Sequence, residues 1–189
     1  LKARGAKVGQ SFVEDQVIGT KGERKKIVEV AEEILASTKD VFFNLGPGLN
    51  VPKLVLPLDL VAAEKIDEKA ETRIVDIANG EQVGWNATFL DIGPQTVAYY
   101  SAIVSHAKTI FWNGPLGYVE LTKFTEGTKG VALAIAKSPA RSILGGGDTE
   151  AIINQLKLSK KFDFISTGGG ASLEFLSGRE LPAMKYLMH

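Results

Sequence analysis

Two glycine triplets hold the residues whose types and spacing could do chemistry. Ser142-Ile143-Leu144 runs into Gly145-Gly146-Gly147-Asp148-Thr149-Glu150, and Phe164-Ile165-Ser166-Thr167 runs into Gly168-Gly169-Gly170-Ala171-Ser172. Each reads as a buried strand, a glycine turn and a helix start. Three consecutive glycines give up much chain entropy, so close packing or a ligand that touches backbone amides must require them. A helix N-terminus presents free N–H groups and a partial positive charge, which together suit phosphate. Two such turns on one sheet suggest a polyphosphate site. Asp148 then has two readings. It is either a plain N-cap or a carboxylate for Mg²⁺, which nucleotide enzymes bind through one or two carboxylates plus phosphate oxygens. In the second reading Thr149 gives its hydroxyl to a phosphate.

Two familiar phosphate loops are excluded. A dinucleotide fingerprint needs a third glycine where Glu150 stands, and an acid at the end of the next strand, where the chain has Ser166-Thr167. A P-loop needs a Gly-Lys-Ser/Thr at fixed spacing, which is absent, so any phosphate site here uses amides and metal rather than that lysine.

The elements that must carry these turns follow from periodicity. Beyond residue 94 helix and strand alternate. A helix is expected from Pro94 to about His106, a strand over Thr109–Trp112 stopped by Asn113-Gly114-Pro115, and a helix over Phe124–Lys137. Strand Ser142–Leu144, helix Asp148–Leu156, strand Phe162–Thr167 and helix Ala171–Ser177 follow. This alternation predicts parallel βαβ units, with ligands at the carboxyl ends of the strands. Asn113-Gly114-Pro115, both glycine triplets and Asp59 are placed at such ends.

Earlier in the chain, Leu1–Arg4 reads as a helix end capped by Gly5, and residues 6–22 as loop. Glu23–Ser37 reads as an amphipathic helix with Ile27, Val28, Val30, Ala31, Ile34 and Leu35 on one face. Val41–Pro52 reads as a loop insertion, Lys53–Ala62 as a strand kinked at Pro57, and residues 64–71 as a surface turn. Thr72–Asp76 reads as an exposed strand, Asn79-Gly80 as a turn, and Pro182–Leu187 as the closing segment.

With 189 residues, 44% hydrophobic and 23% charged, the chain is long enough to bury a core. Its 22 basic and 22 acidic residues balance, so nothing points to nucleic acid or a membrane surface. There is no cysteine, which removes disulfides and thiolate metal sites and is compatible with the cytoplasm. No stretch approaches the ~20 apolar residues of a membrane span. Leu1 is not a start methionine, and a trimmed chain or fragment is expected.

Longer motifs carry a family resemblance. Phe111-Trp112-Asn113-Gly114-Pro115-Leu116-Gly117-Tyr118-Val119-Glu120, with Phe124 and Glu126-Gly127-Thr128, resembles the W-N-G-P-x-G-x-x-E…F…G-T signature of phosphoglycerate kinases. Gly145–Thr149 resembles their G-G-G-D-[ST], and the run from Ser166 to Pro182 their closing S-T-G-G-G-A-S-L-E-x-L-x-G-x-x-L-P. Leu56-Pro57-Leu58-Asp59 and Leu90-Asp91-Ile92-Gly93-Pro94 resemble L-P-x-D and L-D-x-G-P. The order is the family's throughout.

The resemblance implies an α/β fold, a doubly wound parallel sheet in a Rossmann-like three-layer sandwich. Residues 1–189 would be most of the C-terminal, nucleotide-binding lobe of a two-lobed glycolytic kinase. That enzyme moves a phosphoryl group reversibly between 1,3-bisphosphoglycerate and ADP, giving 3-phosphoglycerate and ATP. The phosphoglycerate would bind an N-terminal lobe this chain lacks, so the chain alone is expected to be inactive. The full-length enzyme would be a cytoplasmic monomer. The resemblance places Glu120 on the ribose hydroxyls and Asn113 and Pro115 near phosphates and nucleoside. Gly146 and Gly147 give amides to phosphates, Asp148 holds Mg²⁺ and Thr149 contacts a phosphate. Gly168, Gly169 and Gly170 would face the transferring phosphoryl. A non-catalytic nucleotide-binding or interaction module derived from the same lobe is the alternative.

Two departures stand out. Gly84–Asp91 is two residues longer than the family's G-W-M-[GA]-L-D, so no adenine-pocket residue is assigned there, and Val41–Pro52 is also long. Trp85 and Trp112 are expected as packing anchors, His106 as a partner of a helix C-terminus, and His189 as terminal. Asn86-Ala87-Thr88 matches a glycosylation sequon that a cytoplasmic protein would not use. Without a central strand, a sheet edge should be exposed.

Overall fold

The computed structural model describes residues 1–14, 16–18 and 25–187. Ten strands and six helices follow in chain order: β1 Val17–Ile18, β2 Lys25–Lys26, α1 Ile27–Thr38, β3 Phe42–Asn44, β4 Asn50–Pro52, β5 Asp59–Ala63, β6 Thr72–Asp76, β7 Thr88–Ile92, α2 Pro94–Ser105, β8 Thr109–Asn113, α3 Glu126–Lys137, β9 Arg141–Gly145, α4 Gly147–Gln155, β10 Phe164–Ser166, α5 Gly169–Leu176 and α6 Met184–Leu187.

The fold is α/β. The parallel sheet that positions the site has the order β10-β9-β8. Its register puts Asn113, Gly145 and Ser166 in one row at the carboxyl ends. Helix α3 connects β8 to β9, and α4 connects β9 to β10, as the alternation predicts. The core beneath this row comprises Trp112, Val131, Ala132, Ile135, Leu144, Ile153 and Phe162, joined by Leu60 and Ile92. Trp112 is 8% exposed and lies 6.4 Å, ring to ring, from Phe162, so it is the packing anchor expected.

A second, antiparallel sheet of order β6-β5-β7 lies earlier in the chain. Here several expectations fail. Strand β5 begins at Asp59 rather than ending near it, so Asp59 is not at a carboxyl end. It is fully buried and accepts the N–H groups of Gln95 and Thr96 and the Thr96 hydroxyl. Its task is to hold the start of α2. The sequence assigns no element to Gly84–Asp91, yet β7 forms there and pairs with β5. Trp85 is 85% exposed and anchors nothing.

Val41–Pro52 is a β-hairpin, β3 against β4, not a loop. The Gly46 N–H donates to Asn44 Oδ1 at the turn, and Gly46 and Gly48 take φ of +144° and +78°. Helix α1 begins at Ile27, and the Lys26 N–H donates to Glu29 Oε2 at its start. The expected start at Glu23 lies outside the described residues, as do Gly19–Gly22 of the expected loop and His189. No residue of α1 is fully buried; Ile27, Val28 and Ala31 border an open cleft of about 820 Å³. Leu1–Gly5 is a hydrogen-bonded turn rather than a helix, and Gly5 closes it at φ +89°. His106 caps α2: its Nδ1 lies 2.9 Å from the Ala102 carbonyl. Among the described residues, no helix is long and apolar enough to cross a membrane.

Candidate functional site

The two glycine turns touch. A methyl on Gly169 would lie 2.7 Å from Gly146 Cα and 2.9 Å from its nitrogen, so α5 starts with its backbone against the backbone that starts α4. The Gly146 N–H also donates to the Ser166 carbonyl at 3.2 Å, tying the first turn to the end of β10. Asn113 fills the corner between them. Its Oδ1 would be 2.8 Å from a methyl on Gly145 and 3.0 Å from one on Gly169.

The first turn is the better anchored. Gly146 is the N-cap of α4 at φ +97°, ψ +131°, a conformation open to glycine and strained for other residues. Asp148 is therefore the second residue of the helix, not its cap. It is exposed and makes no side-chain bond among the described residues. Thr149 is fully buried, and its Oγ1 accepts the Gly114 N–H at 2.9 Å. Thr149 thus ties the turn after β8 to the start of α4. The N–H groups of Gly147, Asp148 and Thr149 have no partner within α4, because a helix cannot satisfy its first donors.

The second turn differs. Gly169 is confined, whereas a methyl on Gly170 would meet nothing within 4 Å and one on Gly168 only ordinary contacts near 3.8 Å. Gly147, in the first turn, is equally open. The Ser166 and Ser172 hydroxyls lie 3.1 Å apart across the second turn.

The segment after β8 completes the site. Gly114 turns at φ +91°, and its carbonyl accepts the Trp112 indole N–H at 2.7 Å. Alternate amides are then tied down: Gly114 to Thr149, Leu116 to Thr128 Oγ1 at 2.9 Å, and Tyr118 to the Leu90 carbonyl at 2.7 Å. Pro115 is half-buried within this segment. Glu120, two residues beyond Tyr118, is exposed and makes no side-chain bond among the described residues.

The structure therefore brings Asn113, Gly146 and Gly169 together, and ties Thr149 to Gly114 beside them. Gly147, Asp148, Gly168 and Gly170 stand on the same rim, with Pro115 on the adjoining turn. No bond joins Glu120 to them. Sequence reasoning missed the supporting pair Asp91 and Thr128. The quoted Leu90–Pro94 and Gly127-Thr128 motifs contained them, but nothing local indicated that they meet the segment after β8.

Comparison with known proteins gives a consistent result. The family model for phosphoglycerate kinase matches residues 1–179. A phosphoglycerate kinase of Rubrobacter xylanophilus is 43% identical over 187 residues, which is 99% of this chain and 41% of the relative. One of Clostridium tetani is 45% identical over 186 residues, 98% of this chain and 41% of the relative. Among solved structures, phosphoglycerate kinase from Coxiella burnetii matches with a TM-score of 0.78 at 36% identity, covering 99% of this chain and 42% of that one. The Pyrococcus horikoshii enzyme matches with 0.69 at 35% identity, covering 85% and 36%. The chain thus spans about 41% of the length of the first two relatives.

Proposed function

Because the chain belongs to the phosphoglycerate kinase family, we propose that residues 1–189 form the Mg-nucleotide lobe of an enzyme that transfers a phosphoryl group reversibly between 1,3-bisphosphoglycerate and ADP. The phosphoglycerate is held by the other lobe of the full-length enzyme, a cytoplasmic monomer. One observation carries this reading. Gly147 and Gly170 need no glycine for packing, and neither has the positive φ that only glycine takes easily. A ligand that must reach the surrounding amides accounts for both bare positions.

The family resemblance assigns the roles, and the placement of the glycine turns supports those at the phosphates. The free amides of α4, at Gly147 and its neighbours, receive the nucleotide phosphates. Gly146 lets the backbone turn there, and the fully buried Thr149, whose oxygen accepts from Gly114, holds the turn after β8 against these amides; its hydroxyl would reach a phosphate only if that packing opened. Glu120 is assigned to the ribose, and Asn113 and Pro115 to the phosphate–nucleoside junction. The amides around Gly168, Gly169 and Gly170 face the phosphoryl in flight. Catalysis of this kind is mainly positioning and stabilisation of charge on three equatorial oxygens.

The donor set suits Mg²⁺ bound largely by the nucleotide. Asp148 is one free carboxylate on the rim, and the described residues contain no cluster of three or more metal-ligating side chains. When bound, the ion would neutralise phosphate charge. Asp148 would hold it beside the α4 amides.

Calorimetry with ADP and ATP, with and without Mg²⁺, tests this. Binding should strengthen with Mg²⁺ in the native chain, and Asp148→Ala should remove that gain. Binding indifferent to both would leave a non-catalytic module.

A further inference from the structure

We infer that Asp91 is a positioning residue for the nucleotide site: its carboxylate, enclosed between Gly117 and Gly127, locks the turn carrying Pro115 and Glu120 against the first turn of α3. This rests on the nucleotide reading above.

Asp91 is 4% exposed on β7, and each of its oxygens is used once. Oδ1 accepts its neighbour Ile92 N–H and Oδ2 accepts the Gly127 N–H, both at 2.8 Å. The two glycines facing it are crowded by the carboxylate together with its neighbours. A methyl on Gly117 would lie 2.2 Å from the Phe124 carbonyl oxygen and 2.4 Å from Oδ1, and one on Gly127 2.2 Å from Oδ1 and 2.4 Å from an Ile92 side-chain carbon. Neither glycine has a positive φ, so backbone conformation does not demand them. Leu90, the preceding residue, holds the Tyr118 amide through its carbonyl. One strand end thus fixes both the middle of the nucleoside-side turn and the helix behind it.

This arrangement costs stability. Burial pushes the Asp91 carboxyl up to about 6, with a smaller push from Glu126, and the two N–H donors only partly offset this. The charged or titratable groups on the elements around it are Glu126, Lys129 and Lys137 on α3, Tyr118, Glu120 and Lys123 between β8 and α3, Asp59 on β5, and Lys2 and Glu14 bordering the same cleft. In its ionised form the carboxylate accepts both N–H groups at once, one on each oxygen, and so joins the end of β7 to the first turn of α3.

Asp91→Asn tests this, because an amide offers one acceptor and sets an NH₂ against the other N–H. The control is Asp163→Asn: Asp163 likewise accepts a backbone N–H, that of Ser142 at 2.7 Å, but at the far end of the parallel sheet. Titrating Mg-ADP into each, Asp91→Asn should weaken affinity about tenfold, the scale of one lost charge-assisted bond, while Asp163→Asn leaves it unchanged. Equal affinities in the native and Asp91→Asn chains would overturn the inference alone. A native chain that does not bind Mg-ADP would overturn it together with the nucleotide reading. If Asp91→Asn does not fold, the native protein still decides. The Ile92 and Gly127 amide NMR signals should follow the Asp91 titration, and saturating Mg-ADP should move its midpoint down, since linkage is reciprocal. An unmoved midpoint sinks the proposal.

Discussion

The two glycine turns share a sequence pattern but are built differently. Behind the first, α4 buries Thr149, Ile152 and Ile153, and the turn is wedged by Asn113. Behind the second, α5 buries no residue, and only Gly169 is confined. The first turn is part of the core. The second rests on it through backbone contact and one N–H bond, and a pair of serine hydroxyls spans the second turn itself. Similar triplets can therefore have glycine for opposite reasons, some because protein fills the space and others because it must stay empty.

The contrast makes measurable demands. Gly169→Ala should be the most damaging change, since its methyl meets Gly146 backbone that cannot move aside. Overpacking of this kind costs roughly 1–3 kcal/mol, and denaturant unfolding would show it. A cost near zero would mean that the turns are not in contact.

Acid should act oppositely on two carboxylates, one beside the segment after β8 and one at the far end of the parallel sheet. The folded pKa of Asp91, beside that segment, is raised to about 6. Its burial penalty is present in full above that value and is relieved as pH falls toward ~4, where the unfolded carboxyl also protonates. Allowing for solvent near the group, stability should rise by on the order of 1–2 kcal/mol between pH 7 and about 4.5. Asp163, at the far end of the parallel sheet from both glycine turns, is held low by the Ser142 N–H and hydroxyl. Its contribution is present above the unfolded value and is lost as pH falls below ~4 through its lowered folded pKa. Unfolding curves at several pH values should show a maximum on the acid side of neutrality. A steady fall from pH 7 would contradict the Asp91 assignment.

Gly170→Ala should give the smallest effect on folding. Its site is open and lies within α5, so stability should hold or rise by about 0.5–1 kcal/mol. Nucleotide affinity or turnover should nonetheless suffer. Loss of stability here would make the second turn as packed as the first.

Much of this was legible in the sequence, and the failures have a common cause. Strand ends, Pro94 and the glycine turns are local signals, and the elements after residue 94 fall within a few residues of expectation. Asp148 was open between cap and metal ligand because local sequence does not reveal that Gly146 takes the cap. The hairpin Phe42–Pro52 was missed because its two phenylalanines are half-exposed and break the alternation that marks a strand. Asp59 and Asp91 sit in similar motifs, but their partners lie 36 or 37 residues away along the chain. The long-range contacts that gave them their roles leave no periodicity.

The Gly146–Gly169 contact has a further consequence. Most distances inside a protein have some play, because side chains between the parts can change rotamer or be exchanged for slightly larger or smaller ones. At this contact backbone meets backbone, with Asn113 Oδ1 beside it rather than between the two glycines, so the spacing there is set by van der Waals radii. Substitution cannot tune that gap by tenths of an ångström; it can only leave it alone or force it open.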